Sequence, residues 1–130
     1  MSELLGFISG GGIWTTPSVD EQPSLTLVRW QVMQLPTGER HFVGLAVENR
    51  EGRVSTAVST FDAASLRGIT KSGRVYQLSG RPGHDGDAEY VWRAWARINQ
   101  ATEWADATAE VWAAHTAAGR AGHGEDEAVA

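Results

Sequence analysis

"SGRVYQLSGRPGHDGDAEYVWRAW", Ser72–Trp95, contains the point at which a strand pattern in the chain changes to a helix pattern. Its first residues alternate between apolar and polar side chains, as strands do. Its middle part, Ser79–Asp87, holds three glycines and a proline and predicts a loop. In Ala88–Gln100 apolar residues recur at helical spacing, and Asp87 directly before them is a favourable N-cap. The sequence therefore predicts a sheet before this loop and a helix after it.

The residues before the loop repeat the alternating pattern in short runs separated by turn sequences. Alternation with a period of two is typical of strands. It predicts strands at Leu25–Leu35, Arg40–Asn49, Arg53–Phe61, Ile69–Thr70 and Arg74–Leu78. The turns between them, such as Pro36–Glu39 and Lys71–Gly73, are too short for the crossovers of a parallel sheet. We therefore predict an antiparallel meander of four to five strands.

One set of alternating residues in each strand is expected to face the core. This inward set is Val28, Trp30, Val32, Val43, Leu45, Val47, Val54 and Val58. His41 is expected to face solvent, opposite the inward valines of its strand. On the first helix, Val91, Trp95 and Ile98 share one face and are expected to cover the sheet.

A second helical pattern follows the first. The alanine-rich residues Glu103–Ala118 carry an apolar stripe, with Thr102 as a cap and Gly119 as a natural end. The predicted fold class is therefore α+β, an antiparallel four- to five-stranded meander packed on two C-terminal helices.

The chain length of 130 residues fits one domain. We assign residues 25–118 to this α+β domain. Residues 1–24, which include three consecutive glycines and two prolines, are expected to form an irregular N-terminal arm. Residues 119–130 carry glycine and charge without large apolar side chains and are expected to be a disordered tail.

The composition excludes several classes of site. The chain has no cysteine, so neither a disulfide framework nor a cysteine-based zinc site is possible. The net charge of −5 works against broad binding to phosphate backbones. The first apolar patch follows Glu3 rather than basic residues, and no apolar run approaches the roughly 20 residues of a membrane span. We expect a cytoplasmic protein that does not contact a membrane.

The segment His84–Asp87, with Glu89 beyond it, offers one imidazole and three carboxylates. Such ligands could hold a divalent cation, and a metal-dependent or hydrolytic enzyme centred on His84, Asp85 and Asp87 is one alternative for the function. Helix capping and the helix dipole also explain these acids. We therefore predict no metal, no cofactor and no catalytic residue, and favour a non-enzymatic role while the enzyme alternative stays open.

A run of four basic residues contains no acid: Arg67, Lys71, Arg74 and Arg81. An anion or a nucleic acid could dock there, with Arg67 and Lys71 as possible anion-binding residues, and this is a further alternative. Basic side chains on an edge hairpin also prevent association between sheets. We favour this second explanation, so nucleic acid is not the expected partner.

The chain has six tryptophans, a residue type that supplies core area and also anchors interfaces. The preferred prediction is a non-catalytic interaction protein with a protein partner. The partner would contact an exposed tryptophan or a sheet edge, with arginines at the rim. The predicted partner-binding residues are Arg74, Tyr76, Arg81 and Trp92.

Two quoted segments carry a resemblance to other proteins. "GRVSTAVSTFD" (Gly52–Asp62) followed by "GITKSGRVYQLSGRPGHDGDAEYVWRAW" (Gly68–Trp95) is similar to uncharacterised small bacterial proteins of the kind found on plasmids and prophages. The resemblance covers about Trp30 to Trp95. It implies an accessory protein that binds another macromolecule, and it transfers no residue role to this chain.

Overall fold

The computed structural model describes residues 17–129, of which 120–129 are described by their backbone alone. Of the N-terminal arm predicted at residues 1–24, residues 1–16 lie outside the described part, and residues 17–23 form a turn before the first strand. Within the described range, strands and helices follow in the order β1 (Ser24–Gln34), β2 (Arg40–Ala46), β3 (Glu51–Val54), β4 (Val58–Asp62), β5 (Arg67–Thr70), β6 (Val75–Leu78), α1 (Gly86–Ile98), β7 (Ala105–Asp106) and α2 (Thr108–Val129).

The strands form a single mixed sheet in the order β3-β2-β1-β6-β5-β4, and β7 pairs with the end of β1. Strands β1–β3 make one antiparallel meander and β4–β6 a second. The two meanders join where β1 and β6 run parallel, with Leu25 opposite Tyr76. The α+β class with two C-terminal helices is confirmed. The sheet has more strands than the predicted meander and is not wholly antiparallel. The prediction missed this because no short-range pattern encodes the pairing of β1 with β6.

The sheet curls into an open barrel. Strands β3 and β4 stand at opposite ends of the strand order, yet only Ser55–Ala57 connect them. This connection can span about 14 Å at most, whereas five strand spacings in a flat sheet amount to about 24 Å. The curl brings β4 onto β2, where the rings of Phe42 and Phe61 have centroids 5.7 Å apart. The predicted single strand Arg53–Phe61 is thus two strands with a corner between them.

The sheet is buried on both faces. One core cluster fills the barrel and comprises Leu25, Leu27, Trp30, Val32, Phe42, Ala46, Leu66, Tyr76, Leu78, Ala107 and Val111. The other lies between the sheet and α1 and comprises Met33, Val43, Val54, Ala88, Val91, Trp92, Trp95 and Ala96. Because β2 contributes to both clusters, simple alternation does not separate its core residues from its exposed ones.

Several residues are placed differently from the prediction. Val28 and Leu45, both predicted to face the core, are half-buried and belong to neither cluster. His41 is buried rather than exposed, because α1 covers its face of the sheet. Val47 is exposed, because β2 ends at Ala46 and Val47 belongs to the following turn. Ile98 is exposed at the last position of α1.

Helix α1 begins two residues earlier than predicted. Asp85, not Asp87, is its N-cap, and the Asp85 carboxylate accepts a hydrogen bond from the backbone N of Ala88 at 3.0 Å. Asp87 and Glu89 lie in the first turn, where negative charge is favourable.

Helix α2 begins at Thr108 rather than near Glu103, because Ala105–Asp106 pair with β1 as β7. The Thr108 hydroxyl accepts a hydrogen bond from Val32 N at 2.9 Å and fixes this start against the sheet. The helical backbone continues through Gly119 to Val129, where a disordered tail is predicted. One glycine inside a helix costs only about 1 kcal/mol relative to alanine, so it need not end the helix. No helix within residues 17–129 has the length and apolar character to cross a membrane.

Candidate functional site

A pocket of about 360 Å³ lies where three turns of the barrel meet the last turns of α1. Its lining residues come from five separate segments: Leu35, Glu39, His41, Thr56, Ala57, Lys71, Trp95 and Asn99. The volume falls in the range of small-ligand sites, and the mixture of apolar walls with a few polar groups is typical of them. We take this His41 pocket as the candidate functional site.

His41 is held at both ring nitrogens although only 2 % of it is exposed. Its Nδ1 lies 2.9 Å from the carbonyl oxygen of Ser55. A carbonyl only accepts, so Nδ1 carries a hydrogen. Its Nε2 lies 3.3 Å from Oε2 of Glu39, and in the protonated ring it donates to that carboxylate. Both ring nitrogens of His41 therefore have a protein partner, one a backbone carbonyl and the other a carboxylate of the pocket wall.

Aromatic rings support the back of the pocket. The ring of Trp95 packs against His41 with centroids 4.5 Å apart and stacks on Trp92 at 5.1 Å. Trp104 meets the edge of Trp92 at 5.3 Å. Rings fixed in this way have few alternative rotamers, so the apolar wall is formed before any ligand arrives.

The pocket carries two opposite charges that do not neutralise each other. Glu39 pairs with His41. Lys71 is held through its backbone, whose N donates to Ala57 O at 2.8 Å, and its side chain is exposed. Among residues 17–119, whose side chains are described, the Lys71 ammonium has no ion pair. The pocket therefore presents a cation that an anionic ligand can reach.

Three of the four predicted partner-binding residues are buried: Arg74 at 3 %, Tyr76 at 2 % and Trp92 at 2 % exposure. The expectation that Arg74 lies on an exposed rim is wrong, because β6 is a central strand and its alternate residues point into the barrel. Only Arg81 is exposed, with its guanidinium 6.0 Å from the ring centre of Trp112. The structure does not bring these four residues onto one surface.

The basic run is also divided. Arg67 lies on β5 opposite Asp62, Lys71 borders the His41 pocket, and Arg74 is inside the barrel. Arg81 stands apart in the loop before α1. Such a distribution does not form the continuous basic surface that a nucleic-acid backbone needs.

His84, Asp85 and Asp87, the residues of the alternative enzyme site, make separate contacts and do not form one site. His84 hydrogen-bonds Glu89, and Glu89 also accepts from Arg93 Nε at 2.9 Å. These two bonds, that from His84 first, lower the pKa of Glu89. Asp85 caps α1, and Asp87 lies exposed in its first turn. Within the described residues no group of three histidine or acidic side chains could hold a metal ion.

Sequence reasoning missed most of the His41 pocket. Only Lys71 was among the candidate residues, as a possible anion-binding side chain. The prediction places His41 toward solvent, although its spacing of two from Val43 puts both on one face of the strand. Glu39 and Asn99 lie in a turn and at a helix end without a distinguishing motif. Residues from five segments meet only after the sheet curls, so no local spacing could have identified them.

Comparisons with known proteins find no matching family, no matching curated protein and no matching solved structure. The similarity to small bacterial proteins therefore stays a prediction. Inferences about function depend on the chemistry of the chain itself.

Proposed function

We propose that the protein is a non-catalytic binding protein whose His41 pocket receives the C-terminal residue of a protein partner. The partner's carboxylate would pair with Lys71, and its apolar side chain would lie against Trp95 and Leu35. The supporting observation is the exposed Lys71 ammonium, which has no ion pair with any described side chain and borders a pocket walled by a fixed tryptophan. A C-terminal apolar residue carries its carboxylate and its apolar side chain on one carbon atom, so both groups can enter a pocket that offers Lys71 beside an apolar wall.

Asn99 adds a group suited to a peptide. Its Nδ2 donates to Trp95 O at 2.9 Å, which orients the amide and leaves its oxygen to accept an N–H from a bound chain. In other proteins, nests of backbone N–H groups bind terminal carboxylates, and here the Lys71 ammonium would take that part.

A binding role fits the state of His41 better than catalysis does. Both of its ring nitrogens already have protein partners, Ser55 O and Glu39. The nearby Ser55 hydroxyl donates to Thr56 O at 2.7 Å and accepts from the backbone N of Phe42. A hydroxyl nucleophile would need to donate to the imidazole instead.

We place this interaction in the cytoplasm, since a chain without cysteine suits a reducing compartment. An accessory protein that binds another protein would also agree with the similarity to small bacterial proteins.

The test is a calorimetric titration with two hexapeptides that both end in phenylalanine, one with a free carboxylate and one amidated. The free acid is expected to bind at least tenfold more tightly than the amide. Lys71→Gln should remove this difference. Arg67→Gln makes the same change of charge outside the pocket and should leave it intact.

A third titration, with N-acetylphenylalanine, separates a peptide from a free small molecule as the ligand. It should bind more weakly than the peptide acid, because it lacks the chain that meets Asn99. Equal binding of the acid and amide peptides would refute the proposal, and so would equal losses in the two variants.

A further inference from the structure

Two arginines lie in the interior of the barrel. Arg53 on β3 is 5 % exposed and Arg74, directly before β6, is 3 % exposed. Arg74 alternates with the buried Tyr76 and Leu78 on the same face of β6. Buried arginines normally pair with carboxylates. Within the part of the chain whose side chains are described, neither Arg53 nor Arg74 forms such a pair.

The two guanidinium groups differ in their hydrogen bonds. Arg74 donates from Nε to Gln22 O at 2.9 Å and from Nη2 to Pro17 O. These bonds attach the turn before β1 to the barrel. Arg53 Nη1 is buried and has no hydrogen-bond partner among the residues that the structure describes. A buried charged donor without an acceptor is among the costliest groups a fold can contain.

The two cations also interact with each other. Burial lowers the pKa of Arg74, and the positive charge of Arg53 lowers it further, while the Tyr76 hydroxyl acts in the opposite direction. Arg53 alternates with Val54, which packs under α1, so the Arg53 side chain lies on the barrel side of the sheet, as Arg74 and Tyr76 do. The barrel interior therefore holds two arginine side chains of like charge together with a phenol hydroxyl.

We infer that Arg53 and Arg74 form a binding site for a small oxyanion of the phosphate or sulfate class inside the barrel. An oxyanion would neutralise both guanidinium groups and accept the unused hydrogen of Arg53 Nη1. The planar fork of N–H groups on arginine matches the oxygen spacing of such anions. Because these side chains are almost fully enclosed, the ligand would be a free anion and not a phosphate carried on a polymer.

The first experiment is a calorimetric titration of the full chain with inorganic phosphate, in chloride buffer at constant ionic strength. We expect saturable binding in the millimolar range or tighter, and a loss of at least tenfold in affinity in Arg53→Met. Arg67→Met removes an exposed arginine and should bind phosphate as the wild type does. Lys71→Gln should also leave phosphate binding unchanged, which keeps this inference separate from the peptide proposal.

The second experiment compares melting temperatures without phosphate. Methionine fills a similar volume without charge, so Arg53→Met should melt at the same temperature as the wild type or above it. Phosphate should then raise the melting temperature of the wild type alone. If Arg53→Met does not fold, Arg53→Lys retains the charge without the fork and should show the same loss of affinity.

Three results would overturn the inference. One is the absence of saturable phosphate binding by the wild type. Another is unchanged binding in the Arg53 variants. The third is equally tight binding of phenyl phosphate, since its ring could not enter an enclosed site.

Discussion

The guanidinium of Arg29 lies 3.1 Å from the carboxylate of Asp85, and the same carboxylate caps helix α1. Arg29 occupies an irregularity of β1 between Val28 and Gln31, where its φ of 47° turns the strand. The bulge therefore directs Arg29 toward the loop that precedes α1. A single carboxylate both starts the helix and connects it to the longest strand.

Asp85→Ala should lower the free energy of unfolding by about 1–2 kcal/mol, since it removes an N-cap and a partly exposed ion pair. Urea denaturation would measure the change. Asp87→Ala, which removes an acid from the first turn of the same helix, should cost no more than about 0.5 kcal/mol. Equal costs for the two variants would contradict the assignment of Asp85 as the cap.

Gly52→Ala should strongly destabilise the protein, by about 2–3 kcal/mol or more. A Cβ at this position of β3 would lie 2.4 Å from backbone atoms of Asp87 and Ala88, which cannot move without displacing α1. Thermal unfolding would report the loss. Gly86→Ala, with nothing within 4 Å of its added Cβ, should leave stability unchanged or raise it slightly.

Phe61→Ala should cost about 2 kcal/mol, because it removes the half-buried ring that closes β4 onto Phe42. Chemical denaturation would measure it. The exposed Ile69 lies on the adjacent strand β5, and Ile69→Ala should change stability by less than about 1 kcal/mol. If both substitutions lowered the free energy of unfolding by a similar small amount, the packing of β4 on Phe42 would be contradicted.

Glu48 predicts a dependence of stability on acid pH. Burial raises its pKa, but the hydrogen bonds from the backbone and hydroxyl of Thr26, together with one from its own backbone, outweigh burial and lower it below 4.5. A depressed pKa in the folded state means that the charged form stabilises the fold. This contribution is present above about pH 4.5 and is lost as the pH falls through the lower folded value.

The free energy of unfolding of Glu48→Gln should therefore be lower than that of the wild type at pH 7, and the difference should shrink below pH 4.5. Urea titrations between pH 3 and pH 7 would show it. Thr26→Val removes the hydroxyl donor and should change the pH dependence in the same direction. A difference that stays constant over this range would contradict the prediction.

Local chemistry determined much of the fold. Pro36–Glu39 and Lys71–Gly73 are turns as predicted, because proline and glycine restrict or permit particular backbone angles whatever surrounds them. The helical spacing of Val91 and Trp95 was enough to place α1 after the loop and to direct these residues to the sheet. The α+β class follows from such short-range signals.

Tertiary contacts decided the rest. The parallel pairing of β1 with β6 joins residues about fifty positions apart. The curl of the sheet divides the predicted strand Arg53–Phe61 into β3 and β4. The curl of the sheet covers one face of β2 and α1 covers the other. The spacing of His41 from Val43 places both on one face, but only the tertiary structure shows that α1 packs on that face. Periodicity reports which residues share a face of one strand, but it does not report what covers that face. The His41 pocket and the buried arginine pair depend on that covering, and only the folded chain brings their residues together.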